Sequence, residues 1–299
     1  MKNIAFETKL DQNITSSVRD YFELLKPRVM TLVVFSFVAG LVMAPGSLNP
    51  LLSLLATIFV SIGSGAAGAL NMWYDRDIDS IMLRTKNRPI VKGAIHADEA
   101  LVFGIILSIL SVSGMMVFIN ITSGLILLAS ILFYVFIYTI WLKRSTVQNI
   151  VIGGAAGAFP PMIGYACKDG VINLESFILF LIIFLWTPPH FWALALYKSD
   201  DYQRANVPMM PVIYGADYTK RQIFYYTIIM SISILVPNFI NMSGFLYLIS
   251  AIILSSYFCY LSFKLMIATD IKLAPKTFGY SIIYLFAILG VMMIDKLIF

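Results

Sequence analysis

Residues 71–92 read NMWYDRDIDSIMLRTKNRPIVK and follow directly on an apolar run that is long enough to cross a bilayer as a helix. If the helix continues past its apolar part, Asn71, Asp75 and Asp79 share one face, because they are spaced four residues apart. Asp77 then lies off that face. Polar and charged side chains at a membrane helix are costly and typical of a functional site. This stretch therefore predicts a membrane helix that ends in such a site.

Cations follow the acidic row within the same stretch. Mg²⁺ takes one or two carboxylates and completes its shell with phosphate oxygens and water. Arg and Lys side chains bind the remaining phosphate charge. Acids followed by cations therefore favour a Mg²⁺–diphosphate site, and the alternative is a solvated loop of mixed charge. The four cations are Arg84, Lys86, Arg88 and Lys92.

The composition is that of a polytopic membrane protein. Of 299 residues, 60% are hydrophobic and only 12% are charged. A soluble domain would carry about twice that share of charge. The net charge of +5 is therefore interpreted as a topology signal and not as a sign of nucleic-acid binding. The two cysteines, Cys167 and Cys259, are far apart and support neither a disulfide framework nor a zinc site.

Nine apolar runs are long enough to span a bilayer, which predicts an all-α fold of nine transmembrane helices. The third and fourth runs are separated by only three residues, but together they are too long for one crossing. The runs are 29–44, 51–72, 99–119, 121–142, 147–167, 174–197, 223–241, 244–266 and 277–294.

The basic residues predict the orientation. Nineteen of the 21 Lys and Arg residues fall on alternate segments beginning with the N-terminus, and only Lys168 and Lys296 fall on the other side. Positive charge marks the cytoplasmic side, so the N-terminus is expected in the cytoplasm and the C-terminus outside. We expect a cytoplasmic segment 1–25 and one transmembrane domain, 26–299. Function is expected on the two long cytoplasmic loops, 73–98 and 198–222.

Histidine is rare, and one of the two histidines lies inside a predicted span. His190 comes eight residues before Lys198, which places it about 12 Å below the cytoplasmic surface at helical rise. An intramembrane histidine is a functional candidate. A histidine hydrogen-bonded within the bundle is an equally good interpretation of the same position. His96 lies in a loop and carries no such expectation.

Four longer motifs resemble a known family, the UbiA-type intramembrane prenyltransferases, and within it the branch of the protohaem IX farnesyltransferases. The resemblance runs from about residue 26 to the C-terminus. The first motif is common to the superfamily, and the other three point to the haem branch. The motifs are DRDIDSIMLRTKNRP (75–89), STVQNIVIGGAAGAFPPMIGY (145–165), TPPHFWALA (187–195) and DYQRANVPMMPV (201–212).

This resemblance implies a nine-helix bundle with a cavity open to the cytoplasmic leaflet. It implies Mg²⁺-assisted transfer of farnesyl from farnesyl diphosphate to a vinyl group of haem b, giving haem O. The second acidic motif departs from the wider superfamily, because Ala205 stands where a second Asp is expected four residues after Asp201. The metal site there would depend on Asp200 and Asp201, with Asn206 as a further candidate.

The expected roles follow from the motifs and the charges. Asn71, Asp75 and Asp79 are expected to be catalytic and, with Asp200 and Asp201, to hold the metal. His190 is expected to meet the haem. The diphosphate is expected to be bound by Arg84, Arg88, Lys92, Arg204, Lys26 and Arg28.

The expected surroundings are the lipid bilayer of a bacterial inner membrane, with the active site facing the cytoplasm. Haem A synthase or an oxidase assembly factor is an expected partner. Two alternatives remain open from the sequence. One is a UbiA-type enzyme that prenylates an aromatic quinone precursor, and the other is a membrane transporter.

Overall fold

A computed structural model describes residues 16–298, and every regular element within them is a helix. Most of the predicted N-terminal segment 1–25 lies outside the described residues. Within residues 16–298, eight helical segments are long and apolar enough to cross a membrane. A ninth crossing results if α1 and α2, which meet at an angle of 55°, count as one broken span. In chain order the helices are α1 (Val18–Leu24), α2 (Pro27–Met43), α3 (Pro50–Tyr74), α4 (Arg76–Ile81), α5 (Ala97–Phe118), α6 (Ile121–Ser145), α7 (Asn149–Gly153), α8 (Ala155–Asp169), α9 (Leu174–Tyr197), α10 (Ser199–Arg204), α11 (Met210–Ser233), α12 (Val236–Phe239), α13 (Phe245–Ile267) and α14 (Ala274–Ile298).

Helix boundaries agree with the predicted runs to within a few residues, except at the seventh. There the helix begins at Met210, inside the loop expected over 198–222. Polar residues from Asp217 to Gln222 divide this helix, so its apolar run begins only at residue 223. Gly215, with φ of 80°, breaks the helical geometry just before these polar residues.

Local sequence signals explain several helix starts. Asn49 caps α3 by accepting a hydrogen bond from Leu51 N–H, and Pro50 occupies the first helical position. Asn173 begins α9 with a capping box. The break between α1 and α2 falls at Lys26, which has φ of 54°, a left-handed conformation that a lysine rarely adopts.

The long helices form a closed ring in which consecutive helices are neighbours and α14 returns to contact α2. The helices α2 and α8 approach closely, because a Cβ atom on Gly40 would lie 1.9 Å from the carbonyl oxygen of Pro161. Small residues permit this kind of helix contact in membranes. Exposed apolar side chains such as Ile109 and Val117 cover the outer surface, as expected for a lipid-facing bundle.

The polar connections that carry the predicted site meet at one end of the bundle. Leu83, which follows α4, donates its backbone N–H to the carboxylate of Asp201 in α10 (3.3 Å). Next to this end, residues Phe133–Leu142 of α6 are π-helical. A π-helical segment this long is rare, and such segments are frequent at functional sites.

Candidate active site

The acidic row crosses the junction between α3 and α4 without losing its helical spacing. Asp75 N–H donates to the Asn71 carbonyl (2.9 Å), and Asp79 N–H donates to the Asp75 carbonyl (2.8 Å). Asn71, Asp75 and Asp79 are all buried, whereas the Asp77 side chain is 60% exposed. The structure thus contains the shared face that the spacing predicts, with Asp77 off it.

Asn71 connects two charged side chains and a hydroxyl group. Its Oδ1 accepts a hydrogen bond from Lys26 Nζ (2.6 Å), and its Nδ2 donates to Asp75 (2.7 Å) and to the Thr139 hydroxyl (3.0 Å). The amide oxygen therefore faces a lysine in this structure. Asn71 orients Asp75 and Lys26 relative to each other.

Each buried carboxylate of the row is paired with a cation. Asp75 forms an ion pair with Lys143 and a longer one with Arg144 (3.4 Å), both at the end of α6. Asp79 is paired with Arg88. Buried carboxylates need such partners, because an unpaired charge is very costly away from water. These ion pairs bring basic side chains that can bind phosphate and acidic side chains that can bind a metal into one cluster.

Arg144 also connects the exposed Asp77 to this cluster. Its two terminal nitrogens donate to the two oxygens of Asp77, at 2.7 Å each. These hydrogen bonds hold the pKa of the Asp77 carboxyl below its ordinary value. From the sequence alone, Lys143 and Arg144 count only among the basic residues that mark the cytoplasmic side. Their position beside the acids depends on packing between helices far apart in the chain.

A second acidic group lies beside the segment that follows α4. Asp201 is buried and paired with Arg204. Burial alone would raise the pKa of Asp201, but hydrogen bonds from Arg204 and from the N–H groups of Leu83 and Arg84 outweigh it and lower the pKa. Asp200 is exposed. These groups border a cleft of about 320 Å³ lined by Leu83, Arg84, Tyr197, Lys198, Asp200, Asp201 and Arg204.

Two of the predicted diphosphate ligands stand apart from both acidic groups. Arg28 and Lys92 are exposed, and neither forms an ion pair with a residue that the structure describes. Lys26, in contrast, reaches the acidic row through Asn71. The structure therefore brings together most, but not all, of the predicted cations.

His190 lies in the interior of the bundle, two helical turns below Tyr197 on the same face of α9. Its ring is stacked between Trp186 and Phe278, with ring centroids 4.2 and 4.7 Å away. Phe278 also makes an edge contact with Tyr197 (6.0 Å), which lines the cleft beside Asp201. A continuous row of aromatic rings thus links the histidine to the charged end of the bundle.

Comparison with known proteins identifies the family. The model of the UbiA prenyltransferase family matches residues 32–289. The chain belongs to the UbiA prenyltransferase family. It is an enzyme of the prenyltransferase class, and the resemblance inferred from its motifs is confirmed.

Individual relatives of this UbiA chain agree. It is 56% identical over 274 residues to the protoheme IX farnesyltransferase of Rickettsia bellii (strain OSU 85-389), which covers 91% of each protein. A solved digeranylgeranylglyceryl phosphate synthase shares its fold, with a TM-score of 0.79, 21% identity and coverage of 94% of this chain and 99% of that one. A UbiA homologue from Archaeoglobus fulgidus, solved with GPP and Mg²⁺, has a TM-score of 0.70 and 15% identity, with coverage of 91% of this chain and 99% of that one.

The oxygen ligands of this UbiA chain suit Mg²⁺, although they do not form a closed cage. Among residues 16–298, no three His, Cys, Asp or Glu side chains converge as a metal site. Mg²⁺ needs no such cage, since it takes one or two carboxylates and shares the phosphate oxygens of a substrate. Asp75 and Asp79 on one side, and Asp200 and Asp201 on the other, are hard oxygen donors of this kind.

Proposed function

We propose that this UbiA prenyltransferase transfers the farnesyl group of farnesyl diphosphate to a vinyl group of haem b and so makes haem O. The observation that carries this proposal is the 56% identity with the Rickettsia bellii protein over 91% of both chains. That relative's name specifies both the acceptor and the transferred group. The site described above supplies the charges that such a reaction needs.

The diphosphate is bound at the charged end of the bundle. Arg88 and Lys26, beside the acidic row, and Arg84 and Arg204, beside the cleft, are the proposed ligands. They act as preorganised positive charge where negative charge develops on the leaving group. We add Lys143 to this set, because it meets Asp75 at the centre of the cluster. Arg28 and Lys92 would contribute only if their exposed side chains swing toward the substrate.

The acids hold Mg²⁺ when the substrate is bound. Asp75 and Asp79 are the proposed ligands on one side, and Asp201 with Asp200 on the other. Bound there, Mg²⁺ would act as a Lewis acid that neutralises the diphosphate. The Archaeoglobus fulgidus homologue, of the same fold, was solved with both GPP and Mg²⁺. Asn71 orients Asp75 from the adjacent helical turn.

The reaction breaks the bond between farnesyl C1 and the diphosphate oxygen. The terminal vinyl carbon of haem b attacks C1, which leaves a cation on the carbon next to the porphyrin ring. Water adds to that carbon and loses a proton, giving the hydroxyethyl-farnesyl group and free diphosphate. The chain contributes cations for the leaving group and an apolar bundle that keeps water from the farnesyl cation until carbon–carbon bond formation.

The acceptor is placed by His190. Imidazole is a common axial ligand of haem iron. The row of aromatic rings from His190 to Tyr197 leads from the apolar interior to the cleft. A flat macrocycle held along this row would bring its edge toward the charged end of the bundle.

The proposed setting is a bacterial inner membrane, crossed nine times. The N-terminal segment 1–25 and the site face the cytoplasm, the C-terminus faces outside, and residues 26–299 form one catalytic domain. Loop 73–98 and the polar segment within 198–222 carry the charged groups. A haem A synthase or an oxidase assembly factor would receive the product.

The test is a choice between acceptors. Membranes containing the protein are incubated with labelled farnesyl diphosphate and either haem b or 4-hydroxybenzoate. We expect label in a haem product, formed roughly 10²-fold or more slowly by the Asp75→Asn variant. Label transferred only to 4-hydroxybenzoate would assign the enzyme to a quinone pathway and overturn the proposal. Absence of transfer to both acceptors by folded wild-type protein would also overturn it.

A further inference from the structure

Ser281 of α14 holds two aromatic side chains of α9. Its backbone carbonyl accepts a hydrogen bond from Trp186 Nε1 (2.8 Å), and its hydroxyl lies 2.6 Å from His190 Nδ1. Ser281 is fully buried, and His190 keeps only 8% of its surface exposed. Both contacts join residues that are more than ninety positions apart, so they depend on the packing of α14 against α9.

The hydrogen bonds around Ser281 decide which nitrogen of His190 carries the proton. The Ser281 hydroxyl has one hydrogen and lies 2.6 Å from the Phe278 carbonyl oxygen. A carbonyl can only accept, so the serine hydrogen is donated to Phe278. The serine oxygen must then accept a hydrogen bond from His190 Nδ1–H. In the neutral imidazole the lone pair is therefore on Nε2.

The imidazole is also fixed in position. Trp186 and Phe278 stack on its two faces, and Phe191 meets it edge-on at 5.0 Å. Nε2 has no hydrogen-bond partner among the described residues, and it is not one of the fully enclosed polar atoms of this structure. The His190 ring is therefore held in place by stacking on both faces, and the lone pair of its Nε2 is available to a ligand.

We propose that Ser281 is a positioning residue that holds His190 in the Nδ1–H form, so that Nε2 is presented to the iron of the haem acceptor. This inference rests on the proposed function, because it takes the acceptor to be a haem. A histidine that ligates a metal usually donates its other ring N–H to a neighbouring acceptor, which fixes the tautomer and the ring orientation. Ser281 provides that acceptor here, and Trp186 and Phe278 prevent the ring from turning.

The position of His190 sets how far the haem lies from the leaving group. Tyr197 comes seven positions after His190, which is about 10 Å along the helix axis. A haem whose iron is held at Nε2 would therefore lie at a fixed depth below the cleft. We therefore expect Ser281 to affect the position of the haem acceptor and not the binding of the diphosphate.

The first experiment reads the tautomer without haem and without turnover. The chain has two histidines, and His96 is exposed in a connecting segment. A His96→Gln protein labelled with ¹⁵N-histidine therefore reports on His190 alone. We expect nitrogen chemical shifts of an Nδ1–H imidazole, and a shift toward the Nε2–H form in Ser281→Ala. An Nε2–H imidazole in the Ser281-containing protein would overturn the inference.

The second experiment uses haem b as the probe. Ser281→Ala should weaken haem binding roughly tenfold or more and alter the haem absorption spectrum, while the KM for farnesyl diphosphate stays constant. Ser281→Thr, which keeps the hydroxyl, should restore the wild-type spectrum. Ser262→Ala is the matched control, because Ser262 is equally buried and, among the residues that the structure describes, its side chain bonds only the Thr227 hydroxyl (3.1 Å). It should leave both haem binding and the spectrum unchanged.

The outcomes separate this inference from the proposed function. A wild-type protein that makes haem O, with a spectrum that changes in His190→Ala but not in Ser281→Ala, would overturn the role of Ser281 alone. Equal effects of Ser281→Ala and Ser262→Ala would do the same, since they would reflect packing. Wild-type protein that farnesylates no haem would overturn the proposed function. The tautomer measurement would then still show whether Ser281 sets the protonation of His190.

Discussion

Replacing Asp75 by Asn removes one charge from the most enclosed part of the site and preserves the size of the side chain. Asp75 is fully buried, and its partner Lys143 is only 14% exposed. Breaking a buried ion pair on one side typically costs about 3–5 kcal/mol. We expect about 3 kcal/mol of lost stability, the lower end of this range, because Arg144 keeps its hydrogen bonds to Asp77 and Lys143 keeps some access to water. Turnover should fall roughly 10²-fold or more, which corresponds to about 2.7 kcal/mol in the activation barrier.

A double variant separates the loss of charge balance from the loss of chemistry. In Asp75→Asn with Lys143→Met, both charges of the pair are gone, and replacing a whole buried pair is often neutral for stability. Thermal stability in detergent should therefore recover toward the wild-type value. Activity per folded molecule should stay low, because the double variant lacks both the Asp75 carboxylate and the Lys143 ammonium group.

The assay measures initial rates of farnesyl transfer, normalised to folded protein, beside thermal unfolding of each variant. Asp77→Asn is the control, since its side chain is 60% exposed and an exposed ion pair contributes only about 0–1 kcal/mol. It should retain most activity and stability. Equal losses of activity in Asp75→Asn and Asp77→Asn would refute the assignment of function to the buried face. So would a double variant with near wild-type rates.

The remaining predictions concern orientation, metal and acceptor. A reporter fused after Arg144 should indicate the cytoplasm and one at the C-terminus the outside, whereas a cytoplasmic C-terminus would contradict the nine-span orientation. Chelation with EDTA should stop turnover, and added Mg²⁺ should restore it; full activity in EDTA would exclude a metal role for the carboxylates. His190→Ala should abolish haem farnesylation while leaving the affinity for a farnesyl diphosphate analogue nearly normal. Parallel loss of analogue binding and thermal stability would mark His190 as a packing residue.

Local spacing was sufficient to predict the acidic row. Asn71, Asp75 and Asp79 share a face because a helix repeats every 3.6 residues, and the same rule places Asp77 outside. The apolar runs likewise predicted the helical bundle, because a run of about twenty apolar residues in a bilayer satisfies its backbone hydrogen bonds by forming a helix. These features depend on residues close together in the chain.

The partners of the row could not be predicted in this way. Lys143 is 68 positions from Asp75, and only the packing of α6 against α3 brings them together. The π-helical geometry of Phe133–Leu142 has no pattern in the sequence that distinguishes it from an α-helix. The start of α11 at Met210 could not be predicted from the apolar runs for a different reason. Polar residues from Asp217 to Gln222 interrupt its apolar pattern, so a search for long apolar runs begins only after them.

The most direct test of the account is a product analysis with purified protein. Farnesyl diphosphate, haem b and Mg²⁺ are supplied in ¹⁸O-labelled water, and the haem products are analysed by mass spectrometry. The account predicts one haem product that carries a farnesyl group and one ¹⁸O atom, because water captures the cation beside the ring after the new carbon–carbon bond forms. Haem b recovered unchanged beside consumed farnesyl diphosphate would contradict the proposed acceptor. A farnesylated haem without ¹⁸O would contradict the proposed final step.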